Sequence, residues 1–351
     1  VTRIVIIGEA WGRDEAPLRR PFIGASGRLL NQLLEEAGLL PLGSARRISP
    51  AYSNFLHHVR DEIYDAAGIH LTNVLNLHPP GNKIVDLCGP RWGNFPPIRP
   101  GKYLREEFTS EIDRLQSELV DHKPNLILGL GATSVWFGLG TSQIGRFRGA
   151  IAPSSYGKFL PTYHPAFLLR GAWDLRPVVI QDLFKAAYEA DFPEVRRPAR
   201  TIYVPETLDE IEFCLRECAL ASRISIDVET VADQITSISF AWSSTVCCVI
   251  PIFKGGYSYW PHDEPAVWRF IARFCALPAP KVGQNFIYDM RFLWERYGIT
   301  VRNVADDTML LHHALQPELQ KGLAFLGSIY TNEPSWKPRY SKSGTVKHED
   351  A

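Results

Sequence analysis

The chain has 351 residues, 45% of them hydrophobic, and 38 basic residues balance 38 acidic ones. That length exceeds what one hydrophobic core usually serves, and that composition excludes a disordered chain, so two folded domains are expected. Zero net charge excludes a globally basic nucleic-acid binder, and any such affinity has to come from local patches. No apolar run approaches a membrane span, and the apolar start from Val1 to Ile7 is too short for a signal peptide. The six cysteines, at 88, 214, 218, 247, 248 and 275, form no zinc-type pair of CxxC motifs, so free thiols in a reducing cytoplasm are expected.

In chain order, Arg3 to Ile7 reads as a strand. Gly27 to Ala37 reads as a helix, with Leu29, Leu30, Leu33 and Leu34 on one stripe. Ile69 to Leu75 is a second strand, Leu104 to His122 a second amphipathic helix and Asn125 to Leu130 a third strand, after which Gly131-Ala132-Thr133 starts another helix. Phe159 to Thr162 is a fourth strand, followed by a helix across Asp174 to Ala190. Such alternation implies a three-layer α/β/α domain on a four-stranded parallel sheet. The stretch from Cys88 to Gly101 is rich in Gly, Pro and Arg and reads as an inserted loop. Residues 193–200 carry two prolines and three arginines without hydrophobic periodicity, as a linker between domains 1–192 and 201–351 should. Beyond it, Ile224 to Val228, Ile235 to Trp242 and Val246 to Ile252 read as an antiparallel meander. Helices follow at Glu264 to Cys275, Tyr288 to Tyr297 and Asp307 to Leu315, giving a second α/β domain with a mixed sheet.

Ligands of open α/β sheets bind beyond the carboxyl ends of the strands. Gly8-Glu9-Ala10-Trp11-Gly12 follows the first strand; Gly8 and Ala10 let backbone approach a ligand, and Glu9 places a carboxylate there. Pro21-Phe22-Ile23-Gly24-Ala25-Ser26-Gly27 offers an aromatic face and a helix N-terminus suited to a phosphate. Asn73 closes the second strand, and Tyr163-His164-Pro165-Ala166-Phe167-Leu168-Leu169-Arg170 closes the fourth. Any one of these could be an ordinary turn or core feature; together, at strand ends of one domain, they point to a site.

These segments, together with Thr72-Asn73-Val74 and Pro161-Thr162-Tyr163-His164-Pro165, closely resemble the family 4 uracil-DNA glycosylases over roughly residues 3 to 190, and most of all a phage branch. The resemblance implies that Phe22 stacks on a uracil flipped from DNA, and that Asn73 hydrogen-bonds its edge. It implies that His164 stabilises the departing base, that Glu9 orients or deprotonates water, and that Leu168, Leu169 and Arg170 form a wedge and phosphate contact. Gly8, Ala10 and Ser26 fall among the substrate-binding positions. The family usually has Pro where this chain has Trp11, which could crowd the pocket; the alternative is a uracil reader that binds without cutting and stalls a linked polymerase. A Rossmann-type nucleotide site is disfavoured, because Gly8 and Gly12 do not make Gly-x-Gly-x-x-Gly. The family also usually holds an iron–sulfur cluster on four cysteines. With Leu77 at one ligand position and Cys88 alone in the domain, no cluster is expected.

In the second half, Asp227-Val228-Glu229 ends a β-rich run and puts two carboxylates on one side of a strand. Asn285-Phe286-Ile287-Tyr288-Asp289 and Asp307-Thr308-Met309 follow, and three carboxylates from separate elements could hold a pair of hard cations. From about Thr201 this resembles the RNase H-like proofreading 3′–5′ exonuclease of family A DNA polymerases, as do Val282-Gly283-Gln284-Asn285 and Ser328 through Lys337. The resemblance implies Mg²⁺ or Mn²⁺ on Asp227, Glu229 and Asp289, with Asn285 contacting single-stranded 3′ ends; Asp307 instead reads as a helix cap. The family's late Tyr-x-x-x-Asp motif does not follow Lys337, and Asp350 is a poor substitute, with no helical pattern around it; degradation that Asp227→Ala abolishes would point to Asp350 or Glu349 as the fourth ligand. A reading frame truncated before a polymerase in cis is the expectation, in a bacterial host's cytoplasm if phage-encoded.

Overall fold

The structure, a computed structural model, describes residues 2–48 and 57–334. It divides into two compact units, residues 1–196 with 324–351, and residues 197–323. Trp336, Lys337, Glu349 and Asp350 lie outside the described residues. No described helix is long and apolar enough to cross a membrane.

The first unit runs β1 (Ile4–Ala10), α1 (Ala25–Glu36), α2 (Ser44–Ile48), α3 (His57–Ala66), β2 (Ile69–Leu75), β3 (Cys88–Gly89), β4 (Tyr103–Leu104), α4 (Thr109–His122) and β5 (Leu126–Leu130). It continues through α5 (Ala132–Leu139), α6 (Ile144–Phe147), β6 (Ala152–Ser154), β7 (Gly157–Thr162), α7 (Pro165–Leu169) and α8 (Arg176–Glu189). Its sheet has the order β2-β1-β5-β7-β6. The four expected strands are mutually parallel, and β6 adds an antiparallel edge through a tight return onto β7. Strand periodicity explains the three layers. Ile4 and Ile6 enter one core with Leu30, Leu33, Leu34 and Leu183, whereas Val5 and Ile7 enter the opposite one with Leu115, Leu119 and Val135. The stretch from Cys88 to Gly101 is not all loop: Cys88–Gly89 pairs with Tyr103–Leu104. Sequence periodicity also missed α2 and α3, which lie with α1 on the connection from β1 to β2.

The second unit runs β8 (Thr201–Tyr203), α9 (Leu208–Ala219), β9 (Ile224–Val231), β10 (Gln234–Ala241), β11 (Val246–Pro251), β12 (Phe253–Lys254) and β13 (Tyr257–Ser258). It continues with α10 (Glu264–Ala276), β14 (Lys281–Gly283), α11 (Phe286–Tyr297), β15 (Val304–Asp307) and α12 (Thr308–Leu315). The mixed sheet has the order β15-β14-β9-β10-β11-β8, with the antiparallel meander β9-β10-β11 in its centre. Along β9, Ile224, Ile226 and Val228 are buried while Ser225, Asp227 and Glu229 are exposed, so both acidic residues leave the strand on one side. A last helix, α13 (Leu323–Tyr330), brings the chain back to the first unit, which holds all of it from Ala324 onward.

Candidate active sites

Parallel register brings the first site together: Gly8 on β1 pairs with Asn73 on β2. These strand ends, with those of β5 and β7, open into a cavity of 320 Å³ lined by Glu9, Ala10, Phe22, Ser26, Asn73, His164 and Arg170, among others.

Asn73 is 3% exposed, and its Nδ2 is buried without a hydrogen-bond partner. A buried donor left unpaired costs free energy, on the order of 1–3 kcal/mol, unless a ligand satisfies it. Its backbone is held from the sheet edge: the Arg114 guanidinium, on α4, donates to the Asn73 carbonyl at 2.8 Å and to the Thr72 hydroxyl at 3.2 Å. Glu111, which accepts from Arg114 Nε at 2.9 Å, also accepts from the Asn76 amide at 2.7 Å, fixing the chain just past the strand.

Phe22 adopts a left-handed φ of 57°, costly for a bulky residue. Arg60 Nη1 donates to the Pro21 carbonyl at 2.8 Å, and the Glu15 carboxylate sits among the amides of Gly12, Phe22, Ile23 and Gly24. Burial still pushes the Glu15 carboxyl above its ordinary value, against those amides. Gly27 permits the turn, since a Cβ there would lie 1.7 Å from the Phe22 carbonyl oxygen. The Phe22 ring stacks on that of His164, centroids 5.9 Å apart and planes at 25°.

His164 caps α7, its Nδ1 accepting from the Ala166 amide at 3.1 Å. Burial, aided by the Arg170 charge, holds its pKa down to about 4. The neutral ring with an accepting Nδ1 must carry its proton on Nε2, so the cavity receives a fixed N–H donor. Glu9 accepts from the buried Thr133 hydroxyl at the start of α5, which fixes its carboxylate.

Two sequence expectations change. Leu168 is 1% exposed, inside the core around α1 and α8, and cannot act as a wedge; the exposed hydrophobic side chains of that turn are Phe167 and Leu169. Trp11 is not among the cavity-lining residues, because its backbone is strapped to the Leu77 carbonyl and to His78. The supporting residues Glu15, Arg60, Arg114 and Thr133 were not singled out from sequence. Glu15, three residues past Gly12, carried a readable signal; the others act through contacts 39 to 124 residues apart, invisible to local patterns.

A four-cysteine cluster does not fit this unit. Its single thiol, Cys88, donates to the Ile84 carbonyl at 3.5 Å.

In the second unit, Asp289 is buried on the first turns of α11 and its Oδ1 accepts from the Val228 amide at 2.9 Å, between Asp227 and Glu229 in the chain. Burial, with Asp227 and Asp307 nearby, raises its carboxyl to about 6. Such crowded carboxylates suit a hard dication. Among the described residues no group of three or more His, Cys, Asp or Glu forms a closed metal sphere; Asp227 and Glu229 leave β9 on one side, and Asp289 meets the strand between them. Asp307 is a cap: it accepts from the Met309 amide of α12, and also from the Asn285 and Phe286 amides, where Asn285 takes a left-handed φ of 53°.

Residues 1–187, more than half of the chain, match the family model described as uracil DNA glycosylase superfamily. The chain belongs to this superfamily. Among curated glycosylases it is similar to the type-4 uracil-DNA glycosylase of Thermotoga maritima, 28% identical over 189 residues, covering 53% of this chain and 76% of that protein. The Archaeoglobus fulgidus type-4 enzyme is 28% identical over 206 residues, covering 55% of this chain and 74% of that protein. The glycosylase half is joined to a second domain: residues 202–344 match a 3′–5′ exonuclease family. Among solved structures, Escherichia coli RNase D is similar at 14% identity and TM-score 0.31, covering 44% of this chain, which spans 40% of that protein. The Aedes aegypti Nibbler EXO domain is similar at 14% identity and TM-score 0.31, covering 44% of this chain and 83% of that one.

Proposed function

We propose that the first unit excises uracil from DNA by hydrolysing the N-glycosidic bond, and that the second removes nucleotides from single-stranded 3′ ends. The observation carrying the first half is one cavity that holds both the unsatisfied Asn73 amide and the neutral His164 N–H.

The base must leave the stack before its sugar bond can be reached. Phe22 would support the flipped ring. Asn73 would donate from Nδ2 to a uracil carbonyl and accept a ring N–H at Oδ1, a pattern that cytosine reverses. As the bond to the sugar breaks, charge grows on the base, and the His164 Nε2–H would meet it. Glu9, held by Thr133, would orient and deprotonate the water and face the cationic sugar. Ser26, in the first turn of α1, and Arg170 would contact flanking phosphates.

In the second unit Asp227 and Glu229, with Asp289 against the strand between them, would hold Mg²⁺ or Mn²⁺, and Asn285 would touch the 3′ strand. Bound dications would supply two-metal phosphodiester chemistry. The segment from Val282 to Asp289 supports a proofreading role for a phage-type family A polymerase on the same polypeptide, working in the cytoplasm of a bacterial host.

A single-uracil oligonucleotide treated with the protein, then alkali, should break at the uracil on a sequencing gel. A strand intact after alkali removes the glycosylase reading. A strand that stays bound and unbroken favours a uracil reader.

A further inference from the structure

Residues 324–334 pack into the glycosylase unit through its buried charges. Arg148, 3% exposed, is the hub. Its Nη1 donates to Asp182 Oδ1 at 2.7 Å, and its Nη2 donates to the hydroxyl of Ser328 on α13. Asp182 is wholly buried and accepts from Thr162 Oγ1 at 2.6 Å through its other oxygen. Thr162 ends β7 and stands two residues before His164. The same guanidinium lies 5.9 Å from the centre of the Tyr163 ring, a wall of the cavity, and 5.5 Å from that of Phe325 on α13. Lys185 donates to the carbonyls of Gly149 and Ser328 at 2.8 and 2.6 Å. Gly149 has a φ of 72°, and a Cβ there would come within 2.5 Å of both Asp182 Oδ1 and the Ser328 carbonyl oxygen.

The fork of one guanidinium thus spans a helix from the far end of the chain and the strand end that carries His164. The two nitrogens of the planar guanidinium donate to Asp182 and to Ser328, and Asp182 carries the link on to Thr162, so the fork fixes angle as well as distance. We propose that Arg148 and Asp182 are positioning residues for uracil excision, and that Ser328 on α13 completes them. The returning segment, which falls within the stretch matching the exonuclease family, is therefore part of the glycosylase site. This rests on the glycosylase reading, but its physical claim concerns the His164 turn and is testable without turnover.

The rest of the returning segment provides the control. Asn332 Nδ2 donates to Glu189 Oε1 at 3.0 Å, on α8 and away from the Thr162–His164 turn. In the full-length protein, Ser328→Ala should lower kcat for uracil release about tenfold with KM nearly unchanged. It should also move the NMR titration of His164 from about 4 towards 6.5 as the turn loosens and water reaches the ring. Arg148→Lys, which keeps the charge but loses the fork, should do the same. Asn332→Ala should lower the melting temperature and leave kcat and the His164 titration unchanged. An unchanged His164 titration and kcat in Ser328→Ala and Arg148→Lys would overturn the proposal, as would equal loss in Asn332→Ala, which would reduce the segment to a structural brace. If the unaltered protein releases no uracil, the glycosylase reading fails, and the titrations alone decide whether the coupling exists.

Discussion

Asn73 lies so close to Gly8 that a Cβ at residue 8 would sit 2.3 Å from Asn73 Oδ1 and 2.6 Å from the Phe22 ring. The residue that would read the base edge and the ring that would support the base both rest on one missing side chain. Gly8→Ala should therefore displace both without adding any polar or charged group. An ångström of misplacement can cost about a hundredfold in rate, and a fall in kcat/KM of that size is expected while circular dichroism stays native. Full activity in Gly8→Ala would show that neither residue works at the position found.

The Glu9 carboxylate lines the cavity, and its hydrogen bond from Thr133 fixes it. Glu9→Gln keeps the shape and removes the base. Single-turnover uracil release should fall about a hundredfold or more if Glu9 activates water, and Thr133→Ala should show a smaller loss of the same kind.

The turn after His164 separates packing from recognition. Leu168→Ala should cost about 2–5 kcal/mol of stability by leaving a cavity, read as a shift in denaturant midpoint. Leu169 is 49% exposed, so Leu169→Ala should change stability by less than about 0.5 kcal/mol. It should slow uracil release from duplex more than from single-stranded DNA, as loss of a wedge requires. Equal effects on both substrates would place the wedge elsewhere.

The depressed pKa of His164 sets a direction for stability against pH. Its folded value is about 4 and its ordinary value 6.5. Between these the unfolded state binds a proton that the folded state does not, so stability is complete above pH 6.5 and is lost as pH falls towards 4. Melting temperatures measured across that window should decline, and His164→Asn, which cannot titrate, should decline less steeply.

Much of this was legible in the sequence because it depended on local patterns. The Leu29 to Leu34 stripe gave α1, the apolar run of Val5 to Ile7 gave β1, and alternation around Asp227 put two carboxylates on one side of β9. The principal cavity residues were visible because strand ends of a parallel sheet converge whatever joins them. What escaped was set by tertiary contact. Leu168 and Leu169 are indistinguishable as letters, and only the seating of α7 decides which faces the core. Arg148 looked like an ordinary basic residue until Asp182 and Ser328, 34 and 180 positions away, met it in a buried cluster. The carboxylates of the second unit were individually readable, but the seating of Asp289 against the strand between Asp227 and Glu229 was not.

The most direct test of the two-site account is free uracil released from a single-uracil oligonucleotide, measured by chromatography with and without EDTA, beside loss of a 3′ label. Uracil release should persist in EDTA, since Glu9, Asn73 and His164 supply its chemistry from side chains. It should be absent from the matching cytosine strand and unaffected by Asp227→Ala. Loss of the 3′ label, where present, should require Mg²⁺ or Mn²⁺ and should vanish in Asp227→Ala. No free uracil from the unaltered protein, or equal release from the cytosine strand, would contradict the account.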